Sequence, residues 1–154
     1  MRLEKQSTIR AEPSKVWAWL WDIPKLIEYM PGVEDVEPVE EGKHYSVRIN
    51  DRVGPFPVRF NLDVVVESID QNKFLRAHVS GKDQRFASTL RQVIEIQLRD
   101  EPPNGTDLSI STEISILGKL GSLGDALIRS RAAEAISNFV TSLKNDVESG
   151  QAAK

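Results

Sequence analysis

The chain has 154 residues, 40% of them hydrophobic, with a net charge of -3 and no cysteine. That length and apolar fraction suit one core, and the near-neutral charge with scattered Lys and Arg leaves no electrostatic footprint for nucleic acid. The lack of Cys removes disulfide frameworks, thiolate zinc sites and cysteine nucleophiles. No apolar stretch approaches the ~18 to 20 residues that cross a bilayer, and the charged start Met1-Arg2-Leu3-Glu4-Lys5 lacks the apolar core of a secretion signal. A cytoplasmic location is therefore expected, with at most peripheral contact at the inner face of a membrane. His44 and His78 are the only imidazoles, and neither a metal site nor a resident cofactor is expected.

Leu3 to Arg10 reads as a first strand, and Ala11-Glu12-Pro13-Ser14 as a helix start with Pro in the first turn, where its missing N–H does no harm. Pro13, Val16, Trp17 and Leu20 recur at helical spacing and predict one inward face, with Trp19 and Trp21 directed elsewhere. Trp17 belongs to the core by this pattern, whereas Trp19 and Trp21 are candidates for a cavity mouth or a partner surface. Asp22 caps a second short helix through Leu26, Ile27 and Tyr29 that stops at Pro31-Gly32.

From Val33 the period changes to two. Tyr45, Val47 and Ile49 alternate with polar residues, and Val58, Phe60, Leu62, Val64 and Val66 share one face of the next strand. Turns are predicted at Asp51 to Pro55, Asp70 to Asn72, Gly81 to Asp83 and Glu101 to Gly105. Between the last two, a strand from Phe86 to Leu98 puts Ile94, Ile96 and Leu98 inward. The strand after Gly105 does so with Leu108, Ile110, Ile114 and Ile116. Beyond Gly118 the period returns to 3.6, and Ile128, Ala132, Ala135, Ile136, Phe139 and Leu143 form the stripe of a helix of about twenty-five residues, about 35 to 40 Å long. The expected organisation is one domain over 1–147 with a polar, frayed tail over 148–154.

The resulting fold class is α+β: a curved antiparallel sheet of about seven strands wrapped on a long C-terminal helix, with two short helices after the first strand. A long twisted sheet does not pack flat on a helix, so side chains or a ligand must fill the gap. Met30, Val33, Phe60, Leu62, Ile94, Ile114, Leu120, Leu127 and Ile128 are the candidate apolar lining. Gln92 and Thr112 share the inward parity, and their polar groups need partners inside: each other, a water or a ligand oxygen. Arg131 is a candidate for a ligand carboxylate or carbonyl, or else reaches solvent along its stem. Gly118, Gly121 and Gly124 either loosen the junction before the helix, as a gate, or let helix and sheet approach closely.

Ala11 to Asp22, Met30-Pro31-Gly32-Val33-Glu34, Val53-Gly54-Pro55 and Gly118 to Gly124 resemble the CoxG family of carbon monoxide dehydrogenase proteins, within the helix-grip superfamily of START domains and birch-pollen allergens. The resemblance covers nearly the whole chain. It implies an accessory protein for a molybdenum hydroxylase, one that handles a quinone or holds the enzyme at the membrane. The apolar C-terminal extension of many such proteins is not present here, so stable anchoring is not expected. The reading is a non-catalytic carrier of a hydrophobic small molecule, lipid or quinone. The alternatives are a cyclase or dehydratase of the same superfamily and an adaptor that binds no ligand. His44 falls on an outward parity and His78 lies beside inward Leu75, Ala77 and Val79, so no catalytic residue is assigned.

Overall fold

Alternating apolar residues between 33 and 117 can bury one side of a sheet only if a second layer covers it. The computed structural model, which describes residues 1–149 except 84 and 86, shows that layer to be made of three helices. In chain order the elements are β1 (Arg2–Ile9), α1 (Pro13–Trp21), α2 (Ile23–Glu28), β2 (Val33–Glu40), β3 (His44–Val53), β4 (Phe56–Asp70), β5 (Phe74–Asp83), β6 (Ser88–Glu101), β7 (Gly105–Leu117), a 3-10 turn (Leu120–Leu123) and α3 (Asp125–Glu148). The sheet order is β1-β7-β6-β5-β4-β3-β2, antiparallel at every step. The two edge strands are consecutive in sequence, so α1 and α2 carry the chain from one edge to the other. This is the curved helix-grip sheet that the periodicity predicts. No helix among the described residues is long and apolar enough to cross a membrane.

Strands as long as β4, with 15 residues, and β6, with 14, accumulate twist and curl. A register shift between Val66 and Ser68 adds a local bend to β4. Gly81 lets β4 and β5 come close, because a Cβ there would overlap the Asn61 carbonyl oxygen. The predicted turn at Gly81 to Asp83 is thus a correction: these residues pair with Leu62, Asn61 and the start of β6. Asp83 is buried, and its carboxylate accepts the Arg59 N–H at 2.7 Å. Composition alone mistook a close-packed strand end for a turn. The predicted strand start at Phe86 lies outside the described residues, and β3 continues through Val53, leaving only Gly54-Pro55 for its turn.

Two expectations about α1 and the glycine junction also change. Trp19 is 4% exposed, because α2 folds back on α1 and Lys25 covers the indole at 4.2 Å from the ring centroid. Only Trp21, 53% exposed and stacked on Trp17, remains at the surface. The junction before α3 is anchored: Leu120 is 1% exposed and its N–H donates to Ser88 Oγ at 2.9 Å. A Cβ on Gly118 would collide with the Ala87 carbonyl oxygen, so close approach is the role of this glycine. α3 starts at Asp125 rather than just after Gly118, and Glu148 is its last residue. The expected tail beyond 149 lies outside the described residues.

Gly81→Ala is expected to destabilise the fold by about 2 to 3 kcal/mol through overpacking. Gly42→Ala, where the added Cβ meets nothing within 4 Å and only the positive φ of 81° is strained, should cost about 1 kcal/mol. Urea unfolding midpoints of the two variants check the order.

Candidate functional site

The register of the sheet builds the site in rungs. Val66, Ala77, Ile94 and Thr112 stand side by side across β4 to β7, the next rung is Val64, Val79, Gln92 and Ile114, and Leu75, Ile96 and Ile110 form a third. Opposite them stand Ile136 and Phe139 of α3 and Ile23, Leu26 and Ile27 of α2. Large residues on both sides would meet. Here β5 contributes Ala77, a small side chain between Val66 and Ile94 on its rung. A cavity of about 130 Å³ is left between the layers. Val64 and Ile94 lie in interior strands on the helix-facing side and border this space, and they are only half-buried.

Of the residues singled out from sequence, Met30, Val33, Leu62, Gln92, Ile94 and Thr112 border this cavity. Phe60, Ile114, Leu120 and Ile128 are buried but pack elsewhere in the core. Ile114 ends the Gln92 rung on β7, the strand from which Ile110 and Thr112 reach the cavity. Leu127 and Arg131 border a different, polar cleft with Asn50, Asp51 and Glu134. The cause is the placement of α3 along the sheet: its middle, at Ile136 and Phe139, lies over the cavity, and its first turn lies by the β3–β4 turn, where Leu127 methyls crowd Gly54. Arg131 is committed to a forked pair with Asp51, Nε to Oδ2 at 2.9 Å and Nη2 to Oδ1 at 2.7 Å, and to Glu134 at 2.8 Å. Those carboxylates, Asp51 first, raise the guanidinium pKa further, and they hold the side chain at this cleft, away from the cavity. Reasoning from sequence missed Val64, Val66, Ala77, Val79, Ile96 and Ile110. Their inward parity was visible, and Ala77 among large neighbours was the available signal of space.

The end of α2 is joined to α3 beside the cavity. The Tyr29 hydroxyl donates to Asp146 Oδ2 at 2.5 Å, and its ring meets Phe139 edge-on at 6.1 Å. Burial first, and then the hydrogen bond to Asp146, hold the phenol pKa well above its ordinary 10.0. The histidines lie on the other side of the sheet, His44 against Asp63 and His78 against Glu67, each at 2.9 Å. Among the described residues no group of three His, Cys, Asp or Glu is placed to hold a metal ion.

A sequence model of the carbon monoxide dehydrogenase CoxG family matches residues 6–148. No curated protein matches the chain. Among solved structures, a conserved protein from Geobacillus kaustophilus superposes with a TM-score of 0.86 at 16% identity, over 96% of this chain and 95% of that one. A START superfamily protein from Mycobacterium smegmatis gives 0.70 at 12% identity, over 96% and 97%. The Zhui aromatase/cyclase from Streptomyces sp. R1128 gives 0.66 at 14%, over 99% and 98%. At these identities the three establish the fold alone.

The raised phenol pKa has a sign. The stability contributed by Tyr29 is fully present below pH 10 and is lost as pH rises through the elevated folded-state value. The unfolding free energy of the unsubstituted protein should fall more steeply above pH 10 than that of Tyr29→Phe, which at neutral pH should be less stable by about 1 kcal/mol. Denaturant unfolding across pH 7 to about 11 checks both.

Proposed function

The chain belongs to the CoxG family of carbon monoxide dehydrogenase proteins, and on that premise we propose that it is a non-catalytic carrier of a hydrophobic small molecule, a lipid or a quinone. Its working unit is the single helix-grip domain over 1–147, and its partner is a molybdenum-containing enzyme of the carbon monoxide dehydrogenase type. The observation that carries this reading is the unfilled apolar space between sheet and α3, walled by hydrocarbon except at Gln92 and Thr112. Its volume approaches the ~150 Å³ of a cavity that takes up benzene, so one ring of the cargo fits within it. Burying roughly 100 Å² of ring surface yields only about 2.5 kcal/mol, well short of the ~8 kcal/mol of a micromolar complex. A tail must supply the rest. It would leave past Ile27, Met30, Val33 and Ile136, half-buried lining residues of α2, the chain just after it, and α3.

The Streptomyces relative, described as an aromatase/cyclase, is the reason to keep an enzyme as the second reading. Acid–base catalysis requires a titratable group beside the substrate, and among the described residues the lining contains no carboxylate, imidazole or amine. That weighs for carriage over chemistry.

Native mass spectrometry of the purified protein, followed by solvent extraction, tests the proposal: cargo at near one per chain is the expected result. An empty protein that also ignores hydrophobic fluorescent probes would shift the assignment to an adaptor, with Trp21 on its surface. Ala77→Phe, which fills the cavity from β5, should weaken probe binding at least tenfold while the protein remains folded by circular dichroism. Unchanged probe affinity would place the binding elsewhere.

A further inference from the structure

The cavity wall is polar at one place. Gln92 on β6 stands opposite Ile114, and Thr112 on β7 stands opposite Ile94, so the two meet on a diagonal across one strand pair. Gln92 Nε2 donates to Thr112 Oγ1 at 2.9 Å, and Thr112 Oγ1 donates to the Val93 carbonyl at 2.9 Å. A hydroxyl has one proton to give. With that proton on Val93, Thr112 can only accept from Gln92, which fixes the amide with its NH2 toward Thr112 and Oε1 away from it. Among the described residues nothing donates to Gln92 Oε1. Nor does the fold need this amide, since Thr112 is already satisfied by Val93. Gln92 sits between Val79 and Ile114 on its rung, where an apolar residue would pack as well and carry no desolvation penalty.

We infer that Gln92 is the orienting residue of the cavity and that the site selects a ring bearing a hydroxyl over a hydrocarbon ring of the same shape. The inference rests on the reading of the cavity as a ligand site. Its size limits the buried end of the ligand to about one ring. Its chemistry then sets the substituent: a hydroxyl donates to Oε1, a carbonyl can accept only from the second amide N–H and leaves Oε1 bare, and a methyl group satisfies neither. Against apolar walls an unpaired amide oxygen is penalised more than in water, so the difference acts as specificity. Thr112 acts through Gln92, as the tether that holds the amide in one orientation.

The test is a two-by-two comparison of p-cresol and p-xylene, which have the same shape and differ in OH against CH3, titrated by NMR into the unsubstituted protein and into Gln92→Met. Because p-xylene is the more hydrophobic, the readout is the ratio of the two dissociation constants and not either value alone. The preference for p-cresol, expressed as that ratio, should fall about tenfold in Gln92→Met. In Thr112→Val, which keeps the amide and removes its tether, it should fall several-fold. If both compounds still bind Gln92→Met with the ratio unchanged within twofold, the orienting role is overturned and the carrier reading stands. If neither compound perturbs the cavity resonances of the unsubstituted protein, the carrier reading falls and this inference with it. Should Gln92→Met fail to fold, the Thr112→Val ratio decides by the same twofold criterion.

Discussion

The middle of α3 is kept off the sheet by ties outside it. Toward its start Arg131 forks onto Asp51 of β3. Near its end Asp146 receives the Tyr29 hydroxyl, and Glu148 accepts the Arg10 N–H at 2.8 Å. A helix of 24 residues is a stiff rod about 36 Å long, so its centre cannot sag into a concave sheet while these positions are held. The cavity therefore follows from how the helix is mounted as much as from which residues face it.

Such space is not free of consequence for the fold. At roughly 24 cal/mol per Å³, an empty volume of this size costs about 3 kcal/mol, a large part of the stability of a small protein. A molecule that fills it restores the missing contacts, so binding and stability are coupled by mass action. The charged pairs, by contrast, are distributed over the outer face of the sheet and the first half of α3, away from the cavity.

Much of this architecture was legible in the sequence because the signals were local. The change of period at Val33 and again after Gly118, with Gly and Pro at the turns, yields the helix-grip order. Alternation along β6 and β7 suffices to bring Gln92 and Thr112 inward together. What stayed hidden depends on tertiary translation. Nothing in the helical stripe says which of its turns lies over which strand, so Leu127 and Arg131 were assigned to the cavity when Ile136 and Phe139 face it. Trp19 was left at the surface for a related reason: helical spacing describes one packed face, and α2 supplies a second. At Gly81 to Asp83, residues typical of turns serve a close approach of two strands, which composition cannot distinguish.

The topology also governs how the chain reaches this state. β1 pairs with β7, Arg2 opposite Glu113 and Ile9 opposite Thr106, so the first strand made is bonded only to the last. Roughly 100 residues separate them, which at about 5 to 20 residues per second is some 5 to 20 seconds of synthesis. Through that interval β1 has no partner strand, and closing so long a loop is slow in any case. The newborn chain thus carries its first strand unpaired until the last one is made.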